Sequence, residues 1–349
     1  MLSRPAMFPF SQLSRRDLLS GMAAAGLGAF STIPVGQVAA ATSSVAGAVP
    51  FDLKVGRVGL CVADLAMAIK FYTALGYDEG DLVQEPGLGD LIEIQDVVVH
   101  ISHRPKHGIE LELLQIGSAR APGIPVRRAM HQQGMTHLAL RVDDVDRVAG
   151  VVQENGGTVV ERTRTTARSG FGAEAVFCTD PDGARILLLG PGEVVGLPTA
   201  TAFGPAGITF SHFGICVADV ALSAQFYKSF GFDVAPIQDR GLAFSGFAEV
   251  GDTPLTSCLI RRGAYAFELM QWGRARSPGV PARRSIAQQG FTHIGTSGSD
   301  LAGQMALFKA IGGTVINNAA YNVKGTNIQV VFCTDPDGTR IELVGPVKA

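Results

Sequence analysis

One tryptophan, five cysteines and seven histidines are all that 349 residues offer of the rarer side chains. The five cysteines do not make a disulfide framework. Cys61 and Cys216 occupy matching places in two apolar runs, as do Cys178 and Cys333, which is the pattern of small buried residues; Cys258 has no counterpart. None is assigned a redox role. Charge of one sign is also missing: 29 Lys and Arg stand against 31 Asp and Glu, for a net charge of −2, and no basic stripe offers itself to a nucleic acid. No run of about 20 strongly apolar residues occurs, so no stretch reads as a membrane-spanning anchor. What the chain does have is 46% hydrophobic residues, enough for two domains at roughly 100–200 residues each, and 43 glycines spread through turns.

The first forty or so residues read differently from the rest. Ser14-Arg15-Arg16-Asp17-Leu18-Leu19 is followed by a weakly apolar run interrupted by Gly, Ser, Thr and Pro34, and then by Ala39-Ala40-Ala41. This resembles a twin-arginine export signal with a small-residue cleavage site, so residues 1–41 are set apart from the fold and the mature chain is expected to be periplasmic or secreted, with no stable membrane insertion. Proteins exported this way cross the membrane folded, often with a cofactor in place.

An internal repeat organises the remainder. VGLCVADLAMAIKFYTALGY at 58–77 matches FGICVADVALSAQFYKSFGF at 213–232, and FCTDPDG recurs at 177–183 and 332–338. The repeat predicts domains at 50–192 and 209–347, joined by a Pro- and Gly-rich linker at 193–208. Each copy divides again. A strand leads through Asp64 or Asp219, a candidate N-cap, into a helix and then further strands. A second strand carrying His137 or His293 leads through Asp143 or Asp300 into another helix, and a hairpin turned by Asp-Pro-Asp-Gly closes the unit. The order is strand, helix and three strands, four times over.

Alternation along the runs picks out polar residues. His212, Gly214 and Cys216 share one strand face, while Phe213, Ile215 and Val217 share the other. Phe267 and Leu269 flank Glu268, and Ile341 and Leu343 flank Glu342. A lone Glu in such a run is costly to bury without a partner. His212, Glu268, His293 and Glu342 therefore read as two imidazoles and two carboxylates at the bottom of a cup, a donor set for one divalent transition metal: Ni, Co, Mn, Fe or Zn. Met270, Phe291 and Gly295 share faces with these residues and are candidates for an apolar substrate wall. Arg283 and Arg284, with Arg127 and Arg128 matching them, follow a Pro-Gly-x-Pro turn and read either as an anion clamp or as structural ion pairs.

The Val-Ala-Asp-Leu…Phe-Tyr…Leu-Gly opening, the Gly-x-Thr-His entry and the Asp-Pro-Asp-Gly-x-Arg-Ile-Glu-Leu ending resemble the vicinal oxygen chelate superfamily. That group includes glyoxalase I, methylmalonyl-CoA epimerase, extradiol dioxygenases and bleomycin-resistance proteins. The resemblance covers both domains and implies an α+β fold: four βαβββ half-units forming two tandem glyoxalase-like domains, each an eight-stranded open cup with flanking helices. It places family metal ligands on the first and last strands of each half-unit, at His212, Glu268, His293 and Glu342. The first copy has Arg57, Glu112, His137 and Leu187 at the corresponding places, and a guanidinium and a Leu are not donors, so that copy is expected to be degenerate. Pairing the first half-unit with the fourth and the second with the third would split the donors into Glu112, His293 and Glu342 in one cup and His137, His212 and Glu268 in the other; only sequential pairing, first with second and third with fourth, gathers all four, and sequential pairing is the expectation.

From that donor set follows an isomerase, epimerase or lyase acting through an enediolate on a small substrate with vicinal oxygens, with Glu268 or Glu342 as base. The alternatives are an extradiol-type dioxygenase of catechols, using His212, His293 and Glu342, and a non-catalytic ligand-binding or resistance protein. The expected partners are a small-molecule substrate and, at most, a second copy of the chain. For export, Lys at both positions 15 and 16 should strand the precursor in the cytoplasm. Cell fractionation tests this, and normal periplasmic accumulation of the Arg15→Lys/Arg16→Lys precursor would refute it.

Overall fold

The computed structural model describes residues 52–347, apart from 87, 95–97, 107, 118–128, 167–170, 201, 205, 274–284 and 318. Residues 1–41, Arg127, Arg128, Arg283 and Arg284 lie outside the described residues. Four half-units follow one another along the chain. The first comprises β1 (Lys54–Cys61), α1 (Leu65–Ala74), β2 (Leu82–Pro86), β3 (Val98–Lys106) and β4 (Ile109–Ile116). The second comprises β5 (Gly134–Val142), α2 (Val145–Glu154), β6 (Thr158–Val159), β7 (Ala173–Thr179) and β8 (Arg185–Gly192). The third comprises β9 (Ile208–Cys216), α3 (Val220–Ser229), β10 (Asp233–Val234), β11 (Gln238–Gly241), β12 (Leu255–Arg262) and β13 (Tyr265–Trp272). The fourth comprises β14 (Gly290–Ser297), α4 (Leu301–Ala310), β15 (Thr314–Val315), β16 (Tyr321–Asn322), β17 (Ile328–Thr334) and β18 (Arg340–Pro346).

An acidic residue precedes each of these helices, and in the first three its side chain accepts from backbone N–H groups that have no intrahelical partner, whereas Asp300 before α4 makes no such bond. Asp64 accepts from the Met67 N–H and Asp219 from those of Ala221 and Leu222. In the second half-unit the capping residue is Asp144, which accepts from the Arg147 N–H; Asp143 instead pairs with the Arg147 guanidinium.

The strands form two nine-stranded mixed sheets. The first runs β15-β17-β18-β14-β1-β4-β3-β2, with β16 against β17; the second runs β10-β12-β13-β9-β5-β8-β7-β6, with β11 against β12. The first half-unit thus pairs with the fourth and the second with the third, which corrects the expected sequential pairing. The chain enters the first sheet, crosses to the second for two half-units, and returns. Each cup is built from one half-unit of each sequence repeat, joined by an antiparallel seam: β1 with β14 in the first cup, β5 with β9 in the second.

A single core fills the space between the sheets. Val58, Leu138, Phe213 and Ile294 from the four seam strands meet Phe71, Val148, Tyr227 and Phe308 from the helices in it. Each concave face has its own smaller apolar layer on the far side of its sheet. The five cysteines are all buried thiols. The first half-unit is held to the second, and the third to the fourth, by helix and turn. Tyr72 donates to Asp180 Oδ2 at 3.0 Å and Tyr227 to Asp335 Oδ2 at 2.8 Å, so α1 and α3 are each tied to the Asp-Pro-Asp-Gly turn of the next unit. The other oxygen of each carboxylate accepts turn N–H groups: Asp182 and Ala184 on Asp180, Asp337 and Thr339 on Asp335.

Burial, reinforced by the neighbouring Asp182 and Asp337, pushes both these carboxyls up to about 7. A carboxyl raised on folding binds its proton more tightly in the native state than in the unfolded one, whose pKa is about 3.9. The proton-linked stabilisation is therefore present below about pH 4 and lost as pH rises towards 7. An Asp180→Asn/Asp335→Asn chain, which keeps an acceptor oxygen at each turn, should lack this loss. Melting temperatures of both proteins across that range should diverge in favour of the variant as pH rises; parallel curves would contradict the assignment.

Candidate metal and substrate site

Four β-bulges position the site. In the β1–β14 seam, Val55 pairs with Thr296 and Arg57 with Gly295, so Gly56 is extra; Gly59 pairs with His293 and Leu60 with Phe291, so Thr292 is extra. In the β5–β9 seam, Thr136 and Ser211 are the extra residues by the same count. A bulge leaves one residue unpaired and re-aims its neighbours. Each of the four immediately precedes a site residue: Arg57, His137, His212 or His293. Three of the bulged residues carry a hydroxyl, and each lies 3.0 Å from the Nδ1 of the imidazole that follows it: Thr136 with His137, Ser211 with His212, Thr292 with His293.

The bulge also decides a prediction about the wall. Phe291 and His293 are two apart and share a face in a regular strand, but the extra Thr292 between them turns Phe291 into the central core, 5.7 Å from the Phe213 ring. Phe291 therefore lines no cup. Met270 does face the second cup, in the apolar layer that also holds Leu187, Phe177 and Trp272. Gly295 lies under the Arg57 side chain, where a Cβ would come within 2.5 Å of Arg57 Cγ.

The four predicted ligands divide between the cups. His212 and Glu268 belong to the second sheet, with Nε2 and Oε2 3.6 Å apart; His293 and Glu342 belong to the first, with Nε2 and Oε2 also 3.6 Å apart. The two pairs face away from each other across the shared core, so one ion cannot be held by all four. The exchange of half-units gives each pair a new neighbour from the first sequence repeat.

In the second cup the newcomer is His137, whose ring lies edge-on to that of His212 with centroids 5.5 Å apart. Both rings are buried, and neither Nε2 has a hydrogen-bond partner. Glu268 Oε1 accepts from Ser257 at 2.8 Å and faces Arg240 Nη2 at 3.7 Å, which leaves Oε2 beside His212. Burial, with the His212 and Arg185 charges, holds His137 well below the ordinary histidine range, so the ring is a neutral imidazole. Burial alone would raise Glu268, but His212, Arg240 and Ser257 outweigh it and keep the group ionised. Leu187 holds the fourth place and donates nothing. Two imidazole nitrogens and a carboxylate are what a divalent transition metal takes as protein ligands, and unpaired Nε2 atoms in a buried face are otherwise unfavourable. Phe244 and Phe247 close over this face against Phe171 and Phe177, with the Phe177–Phe247 rings stacked at 4.6 Å. Glu249, beyond them, pairs with Arg162 at 2.5 Å and Arg185 at 3.3 Å.

The first cup is different. Arg57 lies between two carboxylates, with Nε 3.0 Å from Glu112 Oε1 and Nη2 2.7 Å from Glu342 Oε2. His293 Nε2 approaches Glu112 Oε2 at 3.1 Å. Burial raises a carboxyl, yet here Arg57 and His293 hold both Glu112 and Glu342 below their usual range, while the two carboxylates raise His293 against its burial. A cleft of about 580 Å³ opens beside Arg57, lined in part by His103, Glu110, Lys54 and Ile328. Among the described residues, no group of three or more His, Cys, Asp or Glu side chains already surrounds a common ion position.

Arg240 and Ser257 escaped the sequence reading, because a single Arg or Ser in a short strand carries no periodic signal. His137 falls with His212 and Glu268 in the pairing of first with fourth and second with third half-unit, the arrangement that the sequence reading sets aside because it divides the four donors.

A family model for the Glyoxalase/Bleomycin resistance protein/Dioxygenase superfamily matches residues 54–188 and 209–343, and the chain belongs to that superfamily. Its fold is that of two tandem glyoxalase-like regions. Among solved structures, glyoxalase I from Zea mays is similar at 17% identity and a TM-score of 0.56, over 84% of this chain and 93% of that one. A putative dioxygenase from Bacillus subtilis aligns over 85% of this chain and 86% of its own, at 12% identity and a TM-score of 0.48. No curated protein matches the chain.

The seam geometry makes a specific demand at Gly214. A Cβ there would lie 2.2 Å from His137 Cε1, whereas a Cβ on Gly246 would meet nothing within 4 Å. Gly214→Ala should therefore cost about 1–3 kcal/mol, the usual scale of overpacking. Gly246→Ala should be close to neutral. Denaturant unfolding of the two variants checks the pair, and equal stability would contradict the close approach of His137 to Gly214.

Proposed function

We propose that the chain is a metal-dependent enzyme with one working centre, in the second cup, where His137, His212 and Glu268 hold a divalent transition metal. Its substrate is a small aromatic molecule bearing two neighbouring oxygens, and its reaction an oxidation by molecular oxygen. The observation that carries this reading is the pair of buried imidazoles with unpartnered Nε2 atoms beside a carboxylate on one concave face. Two histidines and one carboxylate form the facial set of non-haem iron(II) oxygenases. When bound, such an ion supplies Lewis acidity and open positions at which a chelating substrate and dioxygen can meet.

The chain's own residues set the conditions. Thr136 and Ser211 fix the two rings through Nδ1, so that Nε2 is the free nitrogen of each. Ser257 and Arg240 hold the Glu268 carboxylate by its other oxygen. Phe171, Phe177, Phe244 and Phe247 form an aromatic wall that excludes water and suits a flat ring.

The isomerase reading rested on four donors around one ion. With Glu342 in the other cup, Glu268 would have to serve as ligand and as base together, and that double duty favours the oxygen-dependent reading. The leader-like residues 1–41 support a site of action outside the cytoplasm.

Elemental analysis should find about one equivalent of metal per chain, lost in His137→Ala and in His212→Ala but retained in His293→Ala. Undiminished metal in His212→Ala would remove the centre from the second cup. Oxygen-electrode assays on a panel of catechols, run beside deuterium exchange on α-hydroxy ketones and 2-oxo aldehydes, decide the reaction. Oxygen uptake with a catechol is expected. Solvent deuterium incorporation without oxygen uptake would overturn the oxygenase reading and restore the isomerase.

A further inference from the structure

The residues of the first cup do not fit a metal ion as they stand. Glu112, His293 and Glu342 approach one another from three strands, but the Arg57 guanidinium reaches between them from the fourth strand and contacts both carboxylates. We infer that Arg57 is a built-in cation standing where the ion of this fold would sit, and that the first cup is a latent metal site which a single substitution would open. Three features of the cup carry the inference.

Arg57 is the bulge-aimed residue of β1, the counterpart of His212 on β9, so a side chain at 57 is directed to the same place as a ligand in the other cup. Gly295 leaves space for the guanidinium to lie flat, since a Cβ there would come within 2.5 Å of Arg57 Cγ and 3.0 Å of Glu342 Oε2. Gly59 does the same for the His293 ring, 2.2 Å from a Cβ at that position. The cup thus retains the cradles of a ligand site while its charge is balanced from within. Two buried carboxylates left without a cation would be strongly unfavourable, so loss of an ion and gain of an arginine compensate each other. Arg57 also carries its charge permanently, which an imidazole does not.

Replacing Arg57 by His places an imidazole on the same bulge and completes a set of two imidazoles and two carboxylates with Glu112, His293 and Glu342. The test is metal content, read by elemental analysis and by the visible spectrum of the Co(II)-loaded protein, on purified mature chain with excess metal removed. Arg57→His should hold one equivalent more than wild type, whatever wild type itself holds, so the result does not depend on the centre proposed for the second cup. Adding Glu112→Gln and Glu342→Gln to Arg57→His should abolish the gain.

Thermal melting provides the second readout. In metal-free buffer Arg57→His should melt below wild type, or fail to fold, because Glu112 and Glu342 have lost their cation. Co(II) or Ni(II) should raise its melting temperature by more than it raises that of wild type. Folded Arg57→His with no extra equivalent, or with no extra stabilisation by metal, would overturn the inference. So would a wild-type chain that loses an equivalent on His293→Ala while its His212 is intact, because the first cup would then bind metal alongside Arg57.

Discussion

The antiparallel seam between two first strands is the constraint on which both cups depend. In each seam both strands carry one residue more than the other can pair, and the extra residue always stands just before the side chain that reaches the cup floor. A regular ladder would direct side chains strictly by parity. The bulge breaks parity at one point, which sends Arg57, His137, His212 and His293 inward while Phe213 and Phe291 pack in the central core. The hydroxyls of Thr136, Ser211 and Thr292 then fix the rings from behind. Stability and site geometry are thus the same few residues seen from opposite faces of a sheet.

Charge separates two cups of common plan. The second cup sets two imidazoles beside one carboxylate that His212, Arg240 and Ser257 keep ionised, and leaves both Nε2 atoms without a hydrogen-bond partner. The first cup gathers two carboxylates and an imidazole but fills their midpoint with a guanidinium. One arrangement is two imidazoles and a carboxylate with a guanidinium only on the carboxylate's far side. The other already contains its cation, and its energetic balance is complete without an ion.

The exchange of half-units follows from how the repeats are joined. Tyr72 with Asp180, and Tyr227 with Asp335, bind the first half-unit to the second and the third to the fourth through a helix and a turn, so the two halves of each repeat are held across the core between sheets. The seam partner must then come from the other repeat. Counting donors favours sequential pairing because it collects His212, Glu268, His293 and Glu342, but donors contribute little to a fold beside a core shared by four helices and two sheets.

Local patterning was sufficient for a good part of this molecule. Alternation identified the strands bearing His212, Glu268, His293 and Glu342; Asp64 and Asp219 marked helix starts; and the repeat with its Asp-Pro-Asp-Gly turns implied four half-units of one plan. These features depend on residues a few positions apart, where backbone sterics and short-range hydrogen bonds act. The partnership of His137 with His212 and of Arg57 with Glu342 depends on strands 75 and 285 residues apart in sequence, and only the folded sheets decide it. So does the orientation of Phe291, because a bulge is a mismatch between two strands and neither strand contains it alone.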